Sequence, residues 1–163
     1  MIEVFLEAAA GSRVKGRYDE RSLTRVGERR LLLPYPCAYG FVLGTSGPDG
    51  EALDCFVLGA EGAAEGERLA CEPWALLEFL EDGEEDHKLV ALAPGAREPE
   101  PEALRLTLAA FMTGVFAAWP EVEVKVGRLL PREAAAARLE AAREAARTAT
   151  REGSQRRSPG PPG

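Results

Sequence analysis

Short β-forming runs broken by turn residues fill the first ninety positions, and this pattern restricts the chain to a small sheet-built domain. Residues 2–7 and 14–19 are two such runs, joined by a Gly11-Ser-Arg turn. Residues 23–26, 30–33, 55–58, 68–71, 74–80 and 88–92 read as further strands. Strands of this length with regular turn signals predict a small barrel or sandwich. The pattern then changes. Pro99-Glu-Pro-Glu opens a helix to about Trp119, with acids in the first turn where the helix dipole favours them. Pro120 stops it, and residues 122–126 alternate as a strand. Pro131 opens an alanine-rich helix ending near Glu152. The expected fold is α+β, mainly β, in one domain over residues 1–152. The Gly/Pro/Ser-rich residues 153–163 are expected to form a disordered tail.

The densest chemistry lies between Tyr35 and Leu58. It runs Tyr35-Pro-Cys-Ala-Tyr39-Gly-Phe, then a glycine-rich connection, then Asp49-Gly-Glu51-Ala-Leu-Asp54 before an apolar strand. Charge is concentrated around it. Residues 31–98 carry three basic and fourteen acidic side chains, a balance of −11 in a chain of net −7. That field repels nucleic acid, which needs a continuous basic surface. It suits cations, or an anion arriving with its metal. Cys37, Cys55 and Cys71 form no CxxC pair, so they read as buried reduced thiols of a cytoplasmic protein. His87 is the single histidine, which disfavours histidine-based nucleophilic catalysis and multi-histidine metal sites. No secretory signal is expected at the N-terminus. The apolar segment 103–119 contains Arg105 and is short for a span of about 20 residues, so no membrane partner is expected.

Three groups of side chains can carry chemistry. Asp49, Glu51 and Asp54 supply oxygen ligands for a hard divalent cation, although Pro48-Asp49-Gly50 is also an ordinary turn sequence. Glu81, Asp82, Glu84, Glu85 and Asp86 form a second acidic loop, which by itself reads as a solvated charge run. Lys15, Arg17, Arg29, Arg30, Tyr35, Tyr39 and Lys88 are potential donors to phosphate oxygens. Two acidic loops beside apolar strands, with these donors, describe a metal-phosphate site.

The order of these motifs resembles the soluble family I inorganic pyrophosphatases. Residues 2–7 look like the family's opening strand, and Gly11-Ser-Arg-Val-Lys15 like its substrate-lysine segment. Tyr35-Pro-Cys-Ala-Tyr39-Gly resembles the family's Tyr-Pro-x-x-Tyr-Gly element. Asp49-Gly-Glu51-Ala-Leu-Asp54 is similar to its Asp-Gly-Asp-Pro-x-Asp signature, and residues 81–91 to its second acidic loop. The resemblance implies a five-stranded OB-type β-barrel with flanking α-helices. It implies Mg²⁺-dependent hydrolysis of inorganic diphosphate by direct attack of a metal-activated water, with Mn²⁺ as a substitute metal. It also implies a homo-oligomer, hexameric in bacterial members. Carried over by position, Asp49, Asp54, Asp86 and Glu81 are the metal ligands, and Glu51, Asp49 and Lys15 the catalytic group. The resemblance further implies that Lys15, Arg29, Tyr39 and Lys88 contact substrate. Arg29 follows Glu28 as the family's arginine follows aspartate, with Arg25 and Arg30 as alternatives because the spacing to Tyr35 is two residues short.

Several positions depart from the family. Glu51 replaces the middle aspartate of the signature, usually the general base, and Ala52 replaces its proline. Arg17 stands where the family has a glutamate, and is read as a substrate contact that restores positive charge beside Lys15. A late Tyr-Lys pair becomes Val115-Phe116. These changes leave two alternatives to diphosphate hydrolysis. One is a catalytically impaired protein that binds metal or phosphate, or serves in assembly. The other is a hydrolase of a different phosphoanhydride.

Overall fold

The computed structural model describes residues 1–156. Nine strands and two helices follow in chain order: β1 Ile2–Ala8, β2 Val14–Tyr18, β3 Arg25–Arg30, β4 Ala38–Val42, β5 Asp54–Leu58, β6 Arg68–Glu81, β7 Glu84–Glu85, β8 Lys88–Leu92, α1 Pro101–Phe116, β9 Val124–Leu130 and α2 Arg132–Arg156. Five of the strands close on themselves. Hydrogen-bonded neighbours run β1, β4, β5, β8, β6 and back to β1. All pairs in this ring are antiparallel except β5 with β8, which are parallel. Mainly β structure around a five-membered ring, with two helices packed against its strands, is the OB-type architecture expected.

Composition explains the closure. β4, β5 and β8 are nearly continuous apolar runs, and β4 and β8 are buried at every position. Strands buried on both faces need cover on both sides, and the helices supply part of it. Ala135, Leu139 and Ala142 of α2 join the core built from Val4, Leu6, Cys55 and Leu89. Leu108, Phe111, Met112 and Val115 of α1 pack with Tyr35, Tyr39, Phe56 and Phe79.

Several boundaries differ from the sequence reading. β4 was not anticipated, because a glycine in the Ala38-Tyr39-Gly40-Phe41 stretch looks like a turn. Gly40 is instead required inside the strand: a Cβ there would fall on the Phe5 carbonyl of β1. The two strands expected at 23–26 and 30–33 are one strand, β3, with Gly27 inside it, and Leu23 is a turn residue at φ 57°. The strands expected at 68–71 and 74–80 form the single 14-residue β6. It passes Pro73 because the β8 register shifts between Pro73 and Ala75, the irregularity that lets a strand hold a proline. α2 continues through Gly153 to Arg156, past the helix end expected near Glu152. Residues 157–163 of that expected disordered tail lie outside the described residues.

The acidic loop between β6 and β7 has a two-residue turn. Asp82 and Gly83 both have positive φ, 51° and 81°, and join the Leu80–Glu85 and Glu81–Glu84 pairs. This is the turn type that Asp-Gly favours. The three cysteines are free and buried. Burial pushes the Cys37 thiol up to about 12 and the Cys71 thiol to about 11, so both stay protonated.

Replacing Gly40 by alanine forces β1 and β4 apart. The expected loss is at least about 1–3 kcal/mol, the usual penalty of overpacking. Urea unfolding checks it: the midpoint drops while the slope is unchanged.

Candidate active site

Asp54 and Lys88 meet because of strand register. In the parallel β5–β8 pair Cys55 aligns with Leu89, so the preceding residues, Asp54 and Lys88, stand side by side at the strand starts. Lys88 Nζ donates to Asp54 Oδ2 at 2.6 Å and to Asp86 Oδ2 at 2.8 Å. The lysine is buried. Burial alone would lower its pKa, but Asp54 and then Asp86 outweigh that and hold the ammonium above its ordinary value. The Asp54 and Asp86 side chains stay 25% and 33% exposed, so each carboxylate still faces solvent.

Around this trio lies a cleft of about 200 Å³. Its charged and phenolic lining consists of Lys15, Arg29, Tyr39, Glu51, Asp54, Glu81, Asp86 and Lys88, with Tyr35 behind Tyr39. β2 and β3 supply the outer cations. Lys15 and Arg29 are cross-strand partners in this hairpin, which puts both on one face. Lys15 Nζ sits 5.4 Å from the Tyr39 ring centroid. Tyr39 stacks on Tyr35 at 5.1 Å, and burial keeps its phenol protonated. Burial and the neighbouring Asp86 raise the Glu81 carboxyl.

Two residues of the expected site fall outside the cleft. Asp49 lies in the turn before Glu51 and is exposed; its Oδ1 accepts the Glu51 backbone N–H at 2.9 Å. The Pro-Asp-Gly turn thus engages that carboxylate locally. Arg17 shares the Lys15 face by strand period, but it pairs with Gly27, one repeat further out along the hairpin, and is exposed. Of the three candidate arginines Arg29 alone lines the cleft. Arg25 is engaged by Glu65 at 3.0 Å and Glu28 at 3.4 Å.

Three contributors were missed in the sequence. Glu7 at the end of β1 is buried with Lys15, Asp54 and Lys88 in its electrostatic surroundings, and desolvation raises its carboxyl to about 7. The signal was a carboxylate closing the apolar run Val4-Phe5-Leu6. Glu20 accepts the Ala52 N–H at 3.0 Å and so ties the hairpin to the acidic loop. Trp119 lines the cleft beyond the end of α1, with the Arg29 guanidinium 5.2 Å from its ring.

The donor chemistry suits a hard cation, since carboxylates of Glu51, Asp54, Glu81 and Asp86 share one cleft. Among the described residues, however, no three of them converge into a ready metal cage. Lys88 lies between the two aspartates at their centre. A larger groove of about 690 Å³ runs between α2 and the loop after β4. Among the described residues, Glu20 and Arg21 are its only charged lining.

The sequence matches the family model described as inorganic pyrophosphatase over residues 4–105. The chain belongs to the inorganic pyrophosphatase family. An inorganic pyrophosphatase of Gluconobacter oxydans is 32% identical over 101 residues, which are 61% of this chain and 58% of that protein. One from Saccharolobus solfataricus is 31% identical over 116 residues, 64% of this chain and 67% of that one. The match to the first of these relatives therefore spans less than two thirds of its length. The structure of an inorganic pyrophosphatase from Helicobacter pylori superimposes with TM-score 0.81 at 25% identity, covering 89% of this chain and 92% of that one. One from Thermus thermophilus gives 0.79 at 24%, covering 89% and 90%, which supports the shared fold.

The Glu7 carboxyl makes stability depend on pH when divalent cation is absent. Its value in the folded protein, about 7, exceeds its ordinary 4.5, so the folded state holds that proton more tightly. The contribution is full below pH 4.5 and is lost as pH rises through 7, on the order of 3 kcal/mol in all. Comparing urea unfolding of the wild type with Glu7→Gln in chelator-treated buffer isolates it. The stability difference between the two is expected to shift across pH 4.5–7 and to level off above.

Proposed function

We propose that the chain hydrolyses inorganic diphosphate to two phosphates with a divalent cation, Mg²⁺ first and Mn²⁺ as substitute. The observation that carries this is the convergence of four carboxylates, Lys15, Arg29, Lys88 and Tyr39 on one cleft. A cation held by Asp54, Asp86 and Glu81 would neutralise phosphate oxygens and acidify water. Lys15 and Arg29, paired across the hairpin, bind the phosphate oxygens, and the Tyr39 phenol donates to one of them. Lys88 holds Asp54 and Asp86 in orientation. Glu51 is exposed at the cleft and accepts the proton of the attacking water. The water oxygen bonds to phosphorus, the P–O–P bridge opens, and the bridging oxygen leaves with the second phosphate.

A second reading, binding of metal and diphosphate without turnover, is supported by Lys88 filling the gap between the aspartates and by Asp49 lying outside the cleft. The other parts of the reading are a cytoplasmic protein and a hexameric homo-oligomer, after the family resemblance. No helix among the described residues is long and apolar enough to cross a membrane.

Phosphate release from diphosphate and Mg²⁺ tests the first reading. Asp54→Asn is expected to abolish release. Glu51→Gln is expected to lower kcat by about 10²–10⁴ with little change in KM, as loss of a general base does. Binding of diphosphate by calorimetry with no release under Mg²⁺ or Mn²⁺ establishes the second reading instead.

A further inference from the structure

The lining of the cleft divides by chemistry into two halves, one charged and phenolic, the other Leu31, Phe111, Met112, Val115, Phe116 and Trp119. Five of these come from α1 and the turn after it. Phe111, Met112 and Val115 are buried in the core, whereas Phe116 and Trp119 are only half-buried and keep ring surface to offer. Phe116 is braced by Phe79 at 5.7 Å and by Trp119 at 6.0 Å, so this surface is a supported aromatic cluster. Arg29 bridges the halves, with its guanidinium over Trp119 and its pairing partner Lys15 on the phosphate side.

Inorganic diphosphate is charged at every edge and gains nothing from such a wall. Desolvating its oxygens against aromatic carbon is unfavourable unless each finds a donor. A diphosphate carrying an apolar ester group uses both halves, because ring surface is removed from water as the phosphates meet their cations. The half-buried aromatic surface is small, two rings, which matches a short alkyl or aryl group.

We propose that this cleft selects short apolar monoesters of diphosphate, with the ester group lying on Phe116 and Trp119. The proposal rests on the P–O–P hydrolysis proposed above and extends its substrates from inorganic diphosphate to these monoesters. In the reaction the water oxygen bonds to the terminal phosphorus and the P–O–P bond breaks. The bridging oxygen leaves with the organic monophosphate and takes up a proton, so the products are phosphate and that monophosphate. Water is the only co-reactant.

Two measurements on the full chain test it. In the first, methylenediphosphonate and its 3-methylbutyl monoester, neither hydrolysable at the bridge, are titrated into the protein with Mg²⁺. The ester is expected to bind about 10-fold tighter or more, the scale of selectivity an apolar pocket gives. That affinity ratio is expected to fall toward one in Phe116→Ala and in Trp119→Ala, and to survive in Trp119→Phe, which keeps an aromatic ring beneath Arg29. Because the ratio compares two compounds on the same sample, a partly unfolded variant does not distort it. In the second, phosphate release is compared among inorganic diphosphate, 3-methylbutyl diphosphate and adenosine diphosphate, with the alkyl ester expected to have the highest kcat/KM. A ratio of one or less in the wild type overturns the proposal, as does preference for adenosine diphosphate. If the diphosphonates bind but no substrate is hydrolysed, the hydrolytic reading fails while the ratio still decides the wall's role. If neither diphosphonate binds, both readings fall together.

Discussion

The ammonium of Lys88 is the contact on which the cleft depends. An unpaired charge cannot be buried at a tolerable free energy, and removing one partner of a buried pair is strongly destabilising. Lys88 is tolerated because strand register puts Asp54 beside it and Asp86 is only two residues earlier. Two carboxylates around one ammonium leave an excess negative charge facing the cleft. That excess gives a bound cation a reason to reside there, and it fixes the aspartates before any ligand arrives.

Each wall of the cleft comes from a different part of the chain. The closed ring supplies the acids from the starts of β5 and β8 and from the β6–β7 hairpin. The β2–β3 hairpin stands apart as a separate two-stranded sheet and supplies Lys15 and Arg29. α1 and its following turn supply the apolar side. Glu20 fastens the hairpin to the acidic loop through the Ala52 N–H, and Arg25 fastens it again through Glu65. Acidic ring and basic hairpin thus face one another across the cleft.

Much of this was visible in the sequence, for identifiable reasons. Strand-rich residues 2–92, the two helices and the Asp82-Gly83 hairpin follow from turn chemistry and periodicity. So does the closeness of Lys15 to the acids, once motif order is recognised. β4 was hidden because Gly40 reads as punctuation, whereas its role is to let β1 approach. Pro73 suggested two strands because proline usually ends one, and the register shift that admits it is a tertiary property. Asp49 and Asp54 look equivalent in sequence. Only the local turn shows that one carboxylate faces its own backbone and the other faces Lys88. Trp119 carried no motif and entered the cleft through the way α1 ends.

The parallel pairing of β5 with β8 also governs when the site can exist. Asp54 and Lys88 are 34 residues apart, and β6 lies between their strands in the chain. β1 must also reach β6, aligning Ile2 with Cys71. Contacts this distant in sequence form late, since closing long loops is entropically unfavourable until many pairings reward it. The charge cluster is therefore assembled only where these distant pairings have closed. A chain caught before β8 docks would have a bare apolar edge on β5, open to pairing with another chain, and no cleft at all.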